Sequence, residues 1–361
     1  MKRLVHADSK KLKKKFLDFY KFQYRNNPLK RDSMSGLLKG ILFDRSKLSK
    51  AVKAHPVLVM DGEEIIIIAV LAHVDRMREY LQIAFFESPR LDMEAFGMIM
   101  DEATKLANRY GCSKICASLN IHVNYGLGYL LGSYHKPQSF GMAHNPPHIH
   151  SYYKENGFDR IEMVTYMKDM DSLEGLLPLR MKERLRDRYR VRPVDFSRLR
   201  EEAATYTRIN NNAFRDHLFY YRRVPEEDLE LFRDFRLLLR PENLLFVQRD
   251  GIDVGFMLWY PDFHQIMDPR SGIGLGTVLK ARLNPERIDT FKIVEIGVVQ
   301  EEQGKGAILA LFDHCQEITE GRYKHFESGW VLKENPRSKS LGYKWSDGVS
   351  KTFAAYVKEL V

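Results

Sequence analysis

The stretch that decides the fold is Ile293-Val294-Glu295-Ile296-Gly297-Val298-Val299-Gln300-Glu301-Glu302-Gln303-Gly304-Lys305-Gly306-Ala307-Ile308-Leu309-Ala310-Leu311-Phe312. Its β-branched start predicts a strand, its two close glycines predict a tight turn, and the apolar periodicity that follows predicts a helix. A helix that begins at glycines presents backbone N–H groups and the positive end of its dipole, which together suit an anion such as a pyrophosphate.

Two common nucleotide motifs do not fit this turn. A P-loop needs Ser or Thr directly after Gly-Lys, and here Gly306 follows Lys305. A dinucleotide fingerprint needs a further glycine at position 309, which is Leu309. An ordinary strand-to-helix turn, whose glycines serve tight packing, stays an alternative to any anion site.

Length and composition are those of a folded protein with two domains or one large one. The chain has 361 residues, of which 44% are hydrophobic and 12% aromatic. No apolar run is long enough to span a bilayer and no secretory signal is visible, so we expect a cytoplasmic protein without a membrane partner. Three cysteines, an odd and sparse set, predict reduced thiols.

The net charge of +9 is concentrated at the N-terminus, where residues 1–53 hold 16 Lys/Arg and 4 Asp. Such an arm can bind nucleic acid. Lysines in residues 10–22, however, alternate with apolar residues at helical spacing, which is typical of a docked helix with a solvated cationic face. We prefer this interpretation, so a nucleic-acid partner is considered but not favoured.

The order of predicted elements repeats along the chain. Each half reads as helices, then strands, then a strand–helix–strand passage, which predicts an α/β (α+β) fold with two mixed, twisted sheets flanked by helices. We place a first domain at 1–172, a connector at 173–190 and a second domain at 191–361. The loop 120–148 is long enough to suggest a functional or covering element.

The glycine turn resembles the acyl-CoA loop of the GNAT acyltransferase superfamily, whose pattern is Gln-x-x-Gly-x-(Gly/Ala). Gln303 and Gly306 match that pattern and Ile308 departs from its last position. Further short segments resemble a group of long bacterial tandem-GNAT proteins, among them Ala84-Phe85-Phe86-Glu87 and Pro261-Asp262-Phe263. The resemblance covers most of the chain and implies two tandem GNAT-like domains.

The resemblance also implies the cofactor and the residues that hold it. The co-substrate would be acetyl-CoA or another acyl-CoA, with no metal. Strand backbone at Ile296, Val298 and Val299 would contact the pantetheine and thioester. The pyrophosphate would lie on the loop residues Gln303, Gly304, Lys305, Gly306 and Ala307.

Three residues are candidates for catalysis. Glu295 is the candidate general base, because its apolar neighbours on the strand could raise its pKa; Asp262 and His264 are weaker alternatives. The resemblance implies an acid formed by an Asn after the following strand and a Tyr two turns on. Asn335 fits the first position, but Gly342 stands at the second and Tyr343 comes one residue late.

The first domain is predicted to be a degenerate copy. Its strand-to-helix junction lacks glycine, Asp92 or Ser88 can cap the helix, and Asp92 and Glu94 place negative charge where a pyrophosphate would lie. His144, His148 and His150 have no acidic or cysteine partner at metal-site spacing, so loop capping or substrate contact is expected rather than a metal.

The function implied is an acyl-CoA-dependent N-acyltransferase that acts on a small-molecule or peptide amine, with its chemistry in the second domain. Two alternatives remain at this stage. One is an aminoacyl-tRNA-dependent transferase of the Fem type, with the basic arm binding RNA. The other is a non-catalytic GNAT-fold binding protein, which Ile308 and the missing acid favour.

Overall fold

The computed structural model describes residues 1–173, 177–269, 272–334 and 346–360. Contacts divide the chain into two compact units. Unit 1 comprises residues 1–163, 267–273 and 351–361, and unit 2 comprises residues 164–266 and 274–350. In the described ranges, no helix combines the length and apolar character that a bilayer crossing requires.

The elements alternate between helices and strands throughout. In chain order they are β1 (Lys2–His6), α1 (Lys10–Phe22), α2 (Ser35–Leu42), β2 (Val52–Asp61), β3 (Glu64–Val74), β4 (Tyr80–Glu87), α3 (Met93–Tyr110), β5 (Lys114–Ala117), β6 (Tyr129–Leu130), α4 (Ile149–Glu155), β7 (Asp159–Asp169), α5 (Leu179–Arg188), β8 (Arg190–Pro193), α6 (Leu199–Ala213), α7 (Pro225–Phe235), β9 (Leu244–Arg249), β10 (Ile252–Pro261), α8 (Leu275–Leu283), β11 (Thr290–Val298), α9 (Ala307–Thr319), β12 (His325–Ser328), β13 (Val331–Leu332) and β14 (Gly348–Glu359).

Unit 1 is built on a sheet with the strand order β1-β2-β3-β4-β5-β14. Its β4–β5 pair is parallel and is joined by the crossover helix α3, while the other neighbouring pairs are antiparallel. The apolar face of α3, including Phe96 and Ile99, packs on this sheet in a core that also takes in Ala354 and Tyr356 of β14. The last strand of the chain therefore completes the sheet of the first unit.

Unit 2 repeats this arrangement. Its sheet has the order β7-β12-β11-β10-β9-β8, with the single parallel pair of this set, β11–β12, joined by the crossover helix α9. Helix α9 packs on one face with Leu311 and Ala307 in its core. Helices α6 and α7 pack on the other face around Tyr206 and Phe232. The strand–helix–strand passage predicted at residues 293–331 is confirmed as β11, α9 and β12.

The three cysteines are free thiols, and all of them are buried. Burial raises the pKa of Cys112, Cys116 and Cys315. A buried thiol with a raised pKa is a structural residue rather than a nucleophile, because the thiolate is the reactive form.

Candidate active site

In unit 2, the two parallel strands separate before β11 ends. Their register runs from Thr290 opposite His325 to Ile293 opposite Ser328, where β12 stops, while β11 continues to Val298. An irregularity in the β10–β11 ladder falls at the same level, beside Trp259. In the ranges that the structure describes, the ladder between β11 and β12 stops there. The β11 edge that carries the predicted contacts Ile296 and Val298 thus lines an opening in the sheet.

Glu295 lies on this part of β11 and faces helix α6. Asn210 Nδ2 donates to its Oε1 at 2.7 Å, and the hydroxyl of Tyr206 donates to its Oε2. Burial raises the pKa of Glu295, although the hydrogen bonds from Tyr206 and Asn210 act in the opposite direction. The half-buried carboxylate is therefore oriented by two donors and is a stronger base than an exposed one.

The loop after β11 is set up for an anion. Val299 precedes the short helical turn Gln300–Glu302, and Gln303 Nε2 donates to the carbonyl of Val298 at 3.3 Å. Gly306 caps α9, which begins at Ala307 and has no acidic residue in its first turn. First-turn N–H groups of a helix lack intrahelical acceptors and carry the positive end of the dipole.

The side chains around this loop form a network of cations and carboxylates. Glu302 Oε1 lies 3.4 Å from Lys305 Nζ and is also paired with Arg249, while Arg188 approaches Oε2 at 4.0 Å. Burial alone would raise the pKa of Glu302, but hydrogen bonds from Tyr189 and Arg249 and the charges of Arg249 and Lys305 lower it overall. Arg249 is also paired with Asp250 at 3.6 Å, and Glu301 precedes Glu302 in the turn, so the three cations are matched by three carboxylates. Gly304 and Lys305 are exposed, which leaves the Lys305 ammonium accessible to a ligand.

Gly306 is fixed by backbone geometry and by packing. Its φ is +105°, and a Cβ at this position would lie 2.8 Å from Leu185 Cδ2 of helix α5. Gly304, with φ +75°, has open space where its Cβ would be. The packing alternative from the sequence therefore accounts for Gly306 whether or not a ligand binds. Ile308, the departure from the GNAT pattern, packs partly buried against the core beneath α9.

The remaining candidates of unit 2 lie elsewhere. Asn335 and Tyr343 fall outside the described residues, so their predicted role as the acid stays a prediction. Asp262 is buried, and its side chain accepts the backbone N–H of His264 at 3.2 Å. Asp262 thus caps a short turn, which accounts for its position without a catalytic role.

In unit 1 the equivalent helix start is occupied by the protein's own side chains. Asp92 caps α3 as predicted, accepting from the backbone N–H of Ala95 at 3.0 Å. Lys2 Nζ lies 2.8 Å from both Asp92 and Glu94. This ion-paired cluster takes the place that a pyrophosphate would need, in agreement with a degenerate first copy.

Unit 1 nevertheless contains a cleft whose lining the sequence did not identify. The parallel β4–β5 register ends at Ile83 opposite Ala117, while β4 continues to Glu87. Phe85 there adopts φ +47°, and its backbone N–H donates to Asn120 Oδ1 at 2.7 Å. The cleft has an open mouth and a cavity volume of about 80 Å³. Much of its lining comes from the loop 120–148, whose length was the one available signal.

The histidines at the end of that loop, His144 and His148, and His150 at the start of α4 have separate environments. His150 is held by the hydroxyl of Tyr356 at 2.6 Å and by the carbonyl of Leu130 at 2.7 Å, and His148 Nε2 lies 3.0 Å from the carbonyl of Ser88. His144 lines the cleft. The described part of the chain holds no group of three or more His, Cys, Asp or Glu side chains suited to a metal ion.

Comparison with known proteins gives one related sequence and many related folds. No family model matches the chain. The bacterial ceramide synthase of Caulobacter vibrioides is 21% identical over 281 residues, which are 74% of this chain and 73% of that protein.

Several solved structures superimpose on nearly the whole chain. A tandem GNAT protein from the clavulanic acid biosynthesis pathway matches with a TM-score of 0.57 at 13% identity, covering 99% of this chain and 98% of that one. A probable N-acyltransferase from Enterococcus faecalis matches with a TM-score of 0.56 at 12% identity, covering 99% and 72%. A GNAT N-acetyltransferase from Sphaerobacter thermophilus matches with a TM-score of 0.51 at 13% identity, covering 99% and 95%. The predicted resemblance is confirmed: the chain has the fold of the GNAT acyltransferases.

Proposed function

We propose that the protein is an acyl-CoA-dependent N-acyltransferase whose chemistry takes place in unit 2. The observation that carries the proposal is the placement of Glu295, a carboxylate with two oriented donors, on the strand that runs directly into a glycine loop with an exposed lysine and a helix start. A base and an anion-binding loop at the two ends of one short strand segment are what acyl transfer from a thioester to an amine requires.

The residues of unit 2 fit the phosphate-bearing part of an acyl-CoA. When bound, the co-substrate supplies the activated acyl group as a thioester. Backbone N–H groups of Gly304, Gly306 and Ala307 hold the pyrophosphate, since those of Gln303 and Lys305 donate to the carbonyls of Gln300 and Glu302. The Lys305 side chain adds a cation. The β11 edge at Ile296 and Val298, together with Val299 directly after it, positions the arm that carries the acyl group.

Glu295 acts on the acceptor. It takes a proton from the attacking amine as the new C–N bond forms and the C–S bond breaks. The thiolate leaving group is protonated by an acid for which the Tyr343 hydroxyl is the candidate, and Asn335 is the candidate hydrogen-bonding residue beside the leaving group. Tyr206 and Asn210 hold the carboxylate in place for this transfer. After product release the proton on Glu295 is exchanged with solvent and the acid is reprotonated, so that a neutral amine and the acyl-CoA give the amide and CoA without net gain or loss of a proton.

The acceptor is proposed to be an amine on a small molecule or peptide, and the related sequence narrows the first test. A ceramide is the amide of a fatty acid and a long-chain amino alcohol. The likeness to a ceramide synthase therefore supports including long-chain amines and fatty acyl-CoA beside acetyl-CoA.

The test begins with calorimetric titration of acetyl-CoA and decanoyl-CoA into three proteins: the wild type, Lys305→Glu and Lys11→Glu. Lys11 is exposed on α1 and receives the same charge change, so it is the matched control. We expect micromolar binding to the wild type and control, weakened at least about tenfold in Lys305→Glu because the reversed charge repels phosphate. No binding to the wild type would exclude the acyl-CoA proposal.

A non-catalytic binding protein is the second candidate, and the packing of Leu185 against Gly306 favours it, since this helix side of the loop is already covered. An amine screen with product detection by mass spectrometry separates the two. Amide product that disappears in Glu295→Gln supports catalysis. Retained acyl-CoA binding without product from any amine supports the binding protein.

A further inference from the structure

The cleft of unit 1 has the composition of a ligand site, and the proposed chemistry of unit 2 does not use it. We propose that this cleft binds a second ligand, an amphiphile that carries an anionic group with a hydroxyl close to it. The inference is independent of acyl transfer, since it rests on residues of unit 1 alone.

His144 provides the specific contact. The side chain lines the cleft and is only 7% exposed. One ring nitrogen is engaged by the backbone of Tyr134 and Lys136, whereas Nε2 is buried without a hydrogen-bond partner among the described residues. A buried polar atom without a partner costs free energy comparable to a lost hydrogen bond. Because Nε2 has almost no accessible surface, a ligand that supplies the partner must first displace the side chains that cover it, and it then gains up to that amount.

The charge state of His144 selects a hydroxyl donor. Burial lowers the pKa of the imidazole, and the nearby charges of Lys30 and Lys351 lower it further, so the ring is neutral. The hydrogen bonds between the ring and the backbone of Tyr134 and Lys136 raise the pKa of His144, as expected when a ring N–H donates to carbonyl oxygens. In the neutral ring the other nitrogen, Nε2, is then a hydrogen-bond acceptor. The same two lysines repel an ammonium group, so the donor that fits is an uncharged hydroxyl.

The rest of the polar lining favours an anion. Four cationic side chains and two acidic ones line the cleft. One of the cations, Lys30, lies 2.9 Å from Glu87 and 4.0 Å above the ring of Tyr24. The others are Lys21, Arg25 and Arg31, which leave the lining with a positive surplus. Ser33 Oγ, also buried without a hydrogen-bond partner in the described ranges, adds a further polar group to the wall.

The opposite part of the lining suits an aliphatic chain. Phe85, Phe86 and Leu127 are almost fully buried and line the cleft together with Met142 and Tyr129. The lining therefore combines apolar and polar parts, as an amphiphile with a chain and a headgroup requires. A second acyl-CoA is the less suitable occupant, because Asp92 and Glu94 with Lys2 fill the start of α3.

The test compares two chain-matched acids that differ by one hydroxyl. Calorimetric titration of the full-length protein with 3-hydroxydodecanoate, dodecanoate and dodecylamine, each below its critical micelle concentration, reads the selectivity directly. We expect 3-hydroxydodecanoate to bind about tenfold more tightly than dodecanoate, the size of one buried hydrogen bond, and dodecylamine to bind least.

The variant His144→Asn removes Nε2 while its amide group can still donate to the backbone near Tyr134. It should bind both acids with the same affinity, whereas His135→Asn, a change at an exposed histidine, should keep the wild-type preference. Because dodecanoate binding reports an intact cleft, a folding defect is recognised separately. Equal binding of the two acids by the wild type, an unchanged preference in His144→Asn, tighter binding of dodecylamine, or no binding of either acid would each overturn the proposal. Lys305→Glu should leave these affinities unchanged, which separates this site from that of unit 2.

Discussion

At the scale of single residues, the environment of Glu295 decides what the proposed site can do. Because burial raises the pKa of Glu295 above the ordinary value of 4.5, the carboxylate accepts a proton at a higher pH than an exposed glutamate does. The same burial makes the ionised form costly, so the residue that would serve catalysis is also one that strains the folded state.

The pH dependence of activity follows from this shift. A general base must be ionised, so kcat/KM should be high at alkaline pH and fall as the pH drops through the raised pKa of Glu295. The midpoint of this decrease in kcat/KM should lie above pH 4.5, the ordinary pKa of a glutamate. A profile of kcat/KM against pH, taken with the best amine from the screen, gives the midpoint. A midpoint at or below 4.5 would contradict the assignment.

The contribution of Glu295 to folding stability should fall as the pH rises, whereas its contribution to activity should increase. A carboxyl whose pKa is raised in the folded state stabilises the protein fully below its unfolded pKa and loses that contribution as pH rises through the folded pKa. Glu295→Gln removes the titration and keeps the shape. The melting temperature of the variant relative to the wild type should therefore increase from pH 4 to pH 8. A constant difference across this range would show that the folded and unfolded pKa values are alike.

At the scale of elements, the turn between β11 and α9 joins a backbone requirement to a packing requirement. Both glycines have positive φ, but only Gly306 is approached closely, by Leu185 of α5. The fold therefore restricts the two positions to different degrees, although the sequence motif presents them alike.

Alanine substitution should separate these two effects. Gly304→Ala meets only the strain of a left-handed residue, about 1 kcal/mol. Gly306→Ala adds overpacking against Leu185 and should lower the free energy of unfolding by about 3 kcal/mol in total. Urea unfolding of both variants measures the difference. Equal costs would show that Leu185 moves aside without penalty.

Helices and strands with a regular apolar period could be predicted from the sequence, and those without one could not. The helix predicted after the junction of the first domain is observed as α3, because its apolar period is regular and Asp92 caps it. Helix α2 was missed, since Gly36 and Gly40 lower its helix propensity. Strand β1 was missed because Lys2 and Arg3 give an edge strand a charged composition.

The residues of the candidate site also fall into those that the sequence predicts and those that it does not. The strand and loop around Glu295 could be predicted because they form one continuous motif. The donors Tyr206 and Asn210 come from a helix nearly ninety positions earlier, and no local pattern links them to Glu295. The cleft of unit 1 was missed for the same reason, since segments from distant parts of the chain line it.

At the scale of the whole molecule, the two units exchange strands. The end of β7, residues 164–169, belongs to unit 2, whereas β14 from residue 351 onward belongs to unit 1. The sequence division placed residues 191–361 together, and that division stays a prediction. Sequence order alone gives no signal for such an exchange, because β14 has the same alternating pattern whichever sheet it joins.

Removal of residues 351–361 should therefore unfold unit 1. Phe353, Ala354 and Tyr356 are at most 2% exposed, and their loss costs more than about 5 kcal/mol, comparable to the stability of a whole domain. Hydrogen exchange should show β4 losing its protection while β10 keeps it. A control that lacks only residues 360 and 361 should resemble the full chain, and protected β4 amides in the longer deletion would contradict the exchange.

The buried cysteines have a practical consequence for kinetics. Ellman's reagent detects thiols that reach solvent, and all three cysteines of this chain are enclosed in the folded protein. Free CoA released during turnover would then be the main source of colour, so the reaction could be followed continuously without a coupling enzyme. The same property makes any cysteine introduced on the surface a single attachment point for a fluorophore or spin label.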